Sequence, residues 1–133
     1  MNLLQLIVPK SKCQYLLTST TLRQALEKFK YHRYATVPIL DGEGHFFGTL
    51  SEGDLLELIT NKDIFNIKEY ENITIKDIAL HRSYHILNIN CTFDELVTLS
   101  LDQSFVPIED DRGFFIGIIK RKEIIEKLSN KLD

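Results

Sequence analysis

At 133 residues, with 44% apolar and 26% charged side chains, the chain has the makeup of one ordinary globular domain and not of a disordered one. A net charge of −3 weighs against a general nucleic-acid binder, which needs a basic face, and no apolar run approaches the roughly 20 residues that cross a bilayer. The start, MNLLQLIVPKSK, lacks the basic lead and small-residue cleavage site of a signal peptide, and Cys13 and Cys91 are expected to be reduced in a cytoplasmic protein.

In chain order, Met1 to Leu6 reads as a short apolar helix and Gln14 to Leu17 as a brief strand. Thr21 to Lys30 predicts a helix, because Leu22, Ala25, Leu26 and Phe29 fall at i, i+3, i+4 and i+7 and Thr21 with Gln24 makes a capping box. Strands at 36–40 and 46–50 are joined by a turn through Asp41, Gly42 and Gly44, and a helix carrying Leu55, Leu56, Leu58 and Ile59 follows. Residues 61–74 join this to the next part and are expected to hold a short helix. Then come a strand at 84–87, a helix at 93–101 behind a second capping box of Thr92 and Glu95, a hairpin at 105–109 and 115–119, and a helix at 121–129.

The later elements repeat the earlier ones. Displaced by 69, Val37, Pro38, Ile39, Asp41, Gly44, Phe46 and Gly48 meet identical residues at Val106, Pro107, Ile108, Asp110, Gly113, Phe115 and Gly117. Displaced by 71, Ile7 meets Ile78, Leu16 meets Leu87 and Thr21 meets Thr92. The second copy therefore drops two residues between Phe29 and Tyr34, at a helix-to-strand turn where deletions are cheap. Each copy is β-α-β-β-α, too small to close a core alone, and duplication supplies the missing face. The expected division is a first copy with its N-terminal helix at 1–62, a linker at 63–74 and a second copy at 75–133.

The order of elements, the VPI-x-D strand and turn, and the run GTLSEGDL resemble a tandem pair of CBS motifs, or Bateman module, over about Ile7 to Leu128. That resemblance implies an α/β fold of two pseudo-symmetric motifs packed sheet to sheet, with two clefts that take adenine nucleotides and no catalytic residues. Two readings stand for Ser51 and Asp54. As a helix cap, Ser51 accepts backbone N–H groups and Asp54 favours the positive end of the dipole. In the family, Ser/Thr-x-x-Asp at this place resembles a reader of ribose and phosphate. Gly53 between them allows close approach of a ligand.

The second copy departs from this pattern, with Lys120, Arg121, Lys122 and Glu123 standing where Ser51, Glu52, Gly53 and Asp54 stood. Lysine cannot act as an N-cap acceptor, and cations at a helix start face the wrong end of the dipole. A solvated basic turn is one reading; an anion, most simply a phosphate, completing the site is the favoured one. The departure is similar to the small stand-alone CBS-pair proteins of Gram-positive bacteria that bind cyclic di-AMP, through the turn Gly117, Ile118, Arg121, Lys122, a lysine matched by Lys12, and a small pair matched by Ala35 and Thr36. This resemblance implies one ligand pocket of Lys12, Gln14, Ala35, Thr36, Lys120, Arg121 and Lys122, and a second of Ser51, Asp54, His85 and Ser104 for AMP, ATP or nothing. Replacing Arg121 and Lys122 by alanine is then expected to remove the ligand response and leave the fold intact.

The implied protein is a non-enzymatic regulatory sensor, a homodimer joined through the second helices of each copy. Its client by analogy is a stringent-response nucleotide synthetase or a carboxylase, with neither nucleic acid nor membrane as partner. An AMP- or ATP-binding module using Ser51 and Asp54, and an interaction scaffold with empty clefts, are the alternatives. Other candidates carry less. His81 and His85 have i, i+4 spacing, but on a loop and strand it does not converge on a metal. Cys13 and Cys91 are expected as buried fillers. One of each pair Phe46/Phe47 and Phe114/Phe115 is expected in the core. DGEGHFFG lacks the lysine and spacing of a phosphate loop.

Overall fold

The computed structural model describes residues 2–61, 67–78, 80 and 83–132. In chain order its elements are a 3-10 turn at Leu3–Gln5, strand β1 (Val8–Pro9), a 3-10 turn at Lys10–Lys12, β2 (Leu16–Leu17), helix α1 (Leu22–His32), β3 (Thr36–Leu40), β4 (Phe46–Ser51), α2 (Glu52–Asn61), α3 (Ile67–Tyr70), a 3-10 turn at Ile75–Asp77, β5 (Leu87–Asn88), α4 (Phe93–Ser100), β6 (Phe105–Glu109), β7 (Phe115–Lys120) and α5 (Arg121–Leu132). The fold is α/β, as expected, and divides into two compact units: a continuous one, Gln14–Ser83, and a split one made of Met1–Cys13 with Tyr84–Asp133.

Both capping boxes form. The Gln24 N–H donates to Thr21 Oγ1 at 3.1 Å while the Thr21 N–H donates to Gln24 Oε1 at 3.0 Å, and Glu95 and Thr92 repeat the exchange at the start of α4. Each such cap satisfies donors that the first helical turn leaves unpaired. Both hairpins turn on an aspartate. Asp41 Oδ1 accepts from the N–H groups of Glu43 and His45 at 2.9 Å, and Asp110 Oδ1 from those of Arg112 and Phe114 at 2.9 and 3.0 Å. The chain then passes through Gly44 at φ 92° and Gly113 at φ 85°, the left-handed region that glycine enters without a Cβ penalty.

In the continuous unit the sheet order is β2-β3-β4, with β2 parallel and β4 antiparallel to β3. Leu16, Leu22, Ala25, Phe29, Val37, Ile39, Leu50, Leu55, Leu58, Ile75 and Ile78 form its core. In the split unit the order is β1-β7-β6-β5, around Leu3, Leu6, Leu96, Val106, Ile108, Ile119 and Ile124. Each fully buried Leu or Ile contributes about 1.5–3 kcal/mol. The repeat is kept in the cores, where Val37, Ile39, Leu50 and Leu55 correspond to Val106, Ile108, Ile119 and Ile124. A register break falls at Ile39/Leu40 and again at Ile108/Glu109.

The compact units cut across the sequence boundaries at 62 and 74. The leading residues of the first copy supply Leu3, Leu6 and strand β1 to the split unit, whereas the leading residues of the second copy supply Ile75 and Ile78 to the continuous unit. The reason lies at two corresponding glycines. A Cβ on Gly117 would lie 2.2 Å from the Val8 carbonyl oxygen, and one on Gly48 would lie 2.7 Å from Ser83 Oγ and 2.9 Å from Leu80 Cδ1. Each glycine lets the leading segment of the other copy lie against its strand, where β1 pairs antiparallel with β7 and Ser83 Oγ accepts from the Thr49 N–H at 3.1 Å.

Other differences are local. The short strand at 84–87 begins only at Leu87, because the Gln103 side chain replaces the ladder at His85: its Oε1 accepts from the His85 N–H at 2.8 Å and its Nε2 donates to the His85 carbonyl at 3.1 Å. The N-terminal helix is one 3-10 turn, and β1 has no counterpart among the expected elements. Phe115 is fully buried and Phe47 exposed. Phe114 lies under the Arg112 guanidinium, 5.2 Å from ring centroid to Cζ.

Gly117→Ala forces backbone apart at Val8 and is expected to cost about 3 kcal/mol in urea unfolding, whereas Gly48→Ala displaces only side-chain ends and costs about 1 kcal/mol. The backbone N–H groups of His45 and Phe114 hold the carboxyls of Asp41 and Asp110 below the usual carboxylate range. Their contribution is present above the unfolded value of about 3.9 and lost as pH falls through the lowered folded values. The variant Asp41→Asn with Asp110→Asn, which retains the turn bonds without titrating, should therefore show a flatter fall of the urea midpoint below about pH 4 than the parent.

Candidate functional site

In the continuous unit, Gln14, Ala35, Thr36, Ser51 and Asp54 gather where β3 begins and β4 ends. Thr36 and Ser51 are register partners across the two strands, and the Ala35 carbonyl accepts from the Glu52 N–H at 3.0 Å. Ser51 and Asp54 exchange hydrogen bonds: the Asp54 N–H donates to Ser51 Oγ at 3.1 Å and the Ser51 N–H to Asp54 Oδ2 at 3.0 Å. Asp54 is only 6% exposed. This is a capping box with aspartate in the return position, so the helix-cap reading is realised and one carboxylate oxygen is already engaged. Gly53 is exposed, and a Cβ there would meet Ser51 Oγ at an ordinary 3.6 Å. Tyr34, which the sequence did not single out, donates from its hydroxyl to Gln14 Oε1 at 2.9 Å.

The split unit holds Lys12, His85, Ser104, Lys120, Arg121 and Lys122. The Ser104 carbonyl accepts from the Arg121 N–H at 3.0 Å, the counterpart of Ala35 and Glu52. The Tyr84 hydroxyl accepts from the Ser104 N–H at 3.2 Å and lies 3.0 Å from Ser104 Oγ, with its ring edge on Phe105. Gln103, 4% exposed, fixes the His85 backbone and also donates to the Phe105 carbonyl at 3.2 Å. Gln103 stands where the first copy has Tyr34, and His85 where it has Gln14, so each copy ties the same two positions with different chemistry. The residues of each expected pocket are thus divided between the two units: Lys12 and Lys120 to Lys122 in the split unit, Gln14, Ala35 and Thr36 in the continuous one.

The basic helix start is partly explained by the fold. Arg121 Nε donates to the Ser100 carbonyl at 2.8 Å and the Gln103 carbonyl at 3.1 Å, closing the C-terminal end of α4 with a cation where the dipole is negative. Arg121, expected at a ligand pocket, thus also closes a helix end through its Nε. Lys120 and Lys122 are exposed, and neither they nor Lys12 pairs with a carboxylate among the described residues. Lys12 precedes Cys13, whose thiol donates to the Val8 carbonyl at 3.2 Å and lies within reach of the Lys120 charge. Burial nevertheless pushes the Cys13 thiol up, and burial followed by the Glu95 charge does the same at Cys91. Both cysteines are half-buried and unpaired by disulfide.

His81 lies outside the described residues, and among those described no group of three or more His, Cys, Asp or Glu side chains is placed to hold a metal. No helix among them is long and apolar enough to cross a membrane.

Residues 7–61 match the model of the CBS domain family. Over 128 residues the chain is 20% identical to cyclic di-AMP receptor B of Bacillus subtilis (strain 168), covering 96% of this chain and 86% of the relative. The fold is shared with the CbpB protein of Listeria monocytogenes solved in complex with c-di-AMP, at TM-score 0.82 and 19% identity over 99% of this chain and 98% of the other. It is shared as well with CBSX2 solved in complex with AMP, at TM-score 0.73 and 21% identity over 97% and 96%. The match to the CBS domain family thus rests on residues 7–61, and the likeness of the whole chain to CBS-domain structures is one of fold. The chain's α/β architecture is that of solved CBS-domain structures.

Because the Ser100 and Gln103 carbonyls lose a charged donor, Arg121→Ala is expected to lower stability by about 2 kcal/mol in urea unfolding, with Arg121→Lys recovering only part of it.

Proposed function

We propose that this protein is a non-enzymatic cytoplasmic sensor of an adenine nucleotide, cyclic di-AMP before others, which modulates a partner protein. The observation that carries this reading is the set of cations in the split unit. Lys12, Lys120 and Lys122 are brought into one compact unit by the N-terminal segment, and none has a carboxylate partner among the described residues. Lysines beside the start of a helix suit phosphate, and a cyclic dinucleotide brings two phosphates. The relatives bound to c-di-AMP support the choice of ligand. In this reading Arg121 adds to these cations, since its Nη nitrogens have no partner among the described residues.

The alternative is AMP or ATP held with Ser51 and Asp54 of the continuous unit, and the AMP complex of CBSX2, which shares the fold, supports that class of ligand. There Asp54 grips a ribose only by giving up the Ser51 N–H or sharing its other oxygen. The protein acts as a homodimer, for which α2 and α5 expose corresponding apolar pairs, Leu56 with Ile59 and Ile125 with Leu128, one helical turn apart. The client is an enzyme of the kind the family resemblance implies, a stringent-response synthetase or a carboxylase.

Thermal melting of the pure protein with cyclic di-AMP, AMP, ATP and cyclic di-GMP tests this directly. Ligand at about 100 times its Kd adds about 2.7 kcal/mol, and the largest shift is expected with cyclic di-AMP. The variant Lys120→Ala with Lys122→Ala alters only exposed side chains and should lose that shift while melting like the parent. A flat response to every adenine ligand would leave an interaction scaffold as the function.

A further inference from the structure

We infer that the C-terminal end of α1 is a docking surface for an acidic segment of a partner protein that carries apolar side chains among its carboxylates. This goes beyond the nucleotide reading, and its surface shares no residue with it, although Gln14 helps to anchor Tyr34 beneath it. The surface is made of Lys28, Lys30, Tyr31, His32 and Arg33, which with Glu27 line a shallow hollow. Tyr31 is 82% exposed, its ring held edge-on by His32 at 4.8 Å, and His32 in turn stacks on Tyr34 at 5.0 Å with the planes 10° apart. Tyr34 is anchored by Phe29 of the core and by Gln14.

Helix termination explains part of this. Lys30 and His32 sit in the last turn, where cations offset the dipole, and Arg33 ends the helix at φ 55°. It does not explain Lys28, nor an aromatic ring held out in solvent. No carboxylate among the described residues pairs with any of the four basic side chains. In a chain of net charge −3 that concentration is local, and it suits a short acidic segment better than a long polyanion. After the counterpart helix α4 the second copy has two residues fewer before its next strand and presents Leu101 and Asp102 instead. The two-residue insertion that separates the copies is what builds the patch. Tyrosine and arginine on a rigid element are the residue types that dominate docking energetics.

The test is fluorescence anisotropy of a labelled synthetic peptide of three Asp-Glu-Phe-Glu repeats against the full chain. The peptide is expected to bind the parent and Tyr31→Phe alike, to bind Tyr31→Ala about tenfold more weakly although every charge remains, and to be lost with Lys28→Glu plus Lys30→Glu. A peptide with serine for phenylalanine should bind the parent no better than the original binds Tyr31→Ala. Absence of binding to the parent, equal binding by Tyr31→Ala, or tighter binding of single-stranded oligouridine than of the peptide would each overturn the assignment. Melting of the same variants with cyclic di-AMP is read in parallel. A shift retained there supports a separate surface, a shift lost from the variants alone refutes it, and a shift missing from the parent concerns only the nucleotide reading.

Discussion

At Gly117 the backbone of the N-terminal segment comes so close that a β-carbon would sit 2.2 Å from the Val8 carbonyl oxygen. Much of the molecule follows from that one approach. It allows β1 to pair with β7, which seats Leu3 and Leu6 in the second core and carries Lys12 into the same compact unit as Lys120 and Lys122. Without the glycine the strand edge would close to the segment, and the first-copy lysine would have no fixed relation to the second-copy ones. Gly48 does the corresponding work for Leu80 and Ser83, against side chains rather than backbone. The two copies thus exchange their leading segments, and each core takes in residues from the other copy.

Within that frame the copies have diverged most where each must finish a helix end. At the position shared by Glu52 and Arg121, the second copy uses a guanidinium to satisfy the last carbonyls of α4. The first copy has an acid there, which cannot donate to carbonyls, and α1 runs further to a left-handed Arg33. The pair Tyr34 and Gln14 in one copy and Gln103 and His85 in the other shows the same economy by different means. A side-chain hydroxyl or amide pins the stretch leading into the first strand, where the backbone ladder has not yet begun.

Much of the architecture was legible because it rests on local, periodic signals. Thr21 with Gln24 and Thr92 with Glu95 cap the helices they were expected to cap, and the Asp41 and Asp110 turns lie where aspartate and glycine put them. The duplication was visible as identical residues in register. What stayed hidden was non-local. A two-residue strand such as β1 has no period to detect, and nothing in VPKSK says which sheet edge it joins. Arg121 could be seen as a misplaced cation but not as the cap of a helix twenty residues earlier, since that depends on where two carbonyls arrive in space. Ser51 and Asp54 allowed a cap or a ligand site on sequence grounds; the reciprocal bonds at 3.0 and 3.1 Å show the cap is made.

The Arg121 geometry also changes what the cations ask of a ligand. Three basic groups at a helix start would each cost about 0.3–1 kcal/mol against the dipole if exposed. One of them is offset by the carbonyl end of α4, leaving the unmet charge on lysines. An ammonium is a compact point charge without the planar fork that reads phosphate geometry, so lysines attract phosphates with little regard to what is attached. A site that rested on Lys12, Lys120 and Lys122 alone would take an adenine and a guanine dinucleotide alike. Under the proposed reading, discrimination falls to uncharged groups that can match a base edge. On that reading affinity and selectivity are separable: the proposed lysines would set how tightly and how salt-sensitively a dinucleotide is held, while neutral groups would set which one.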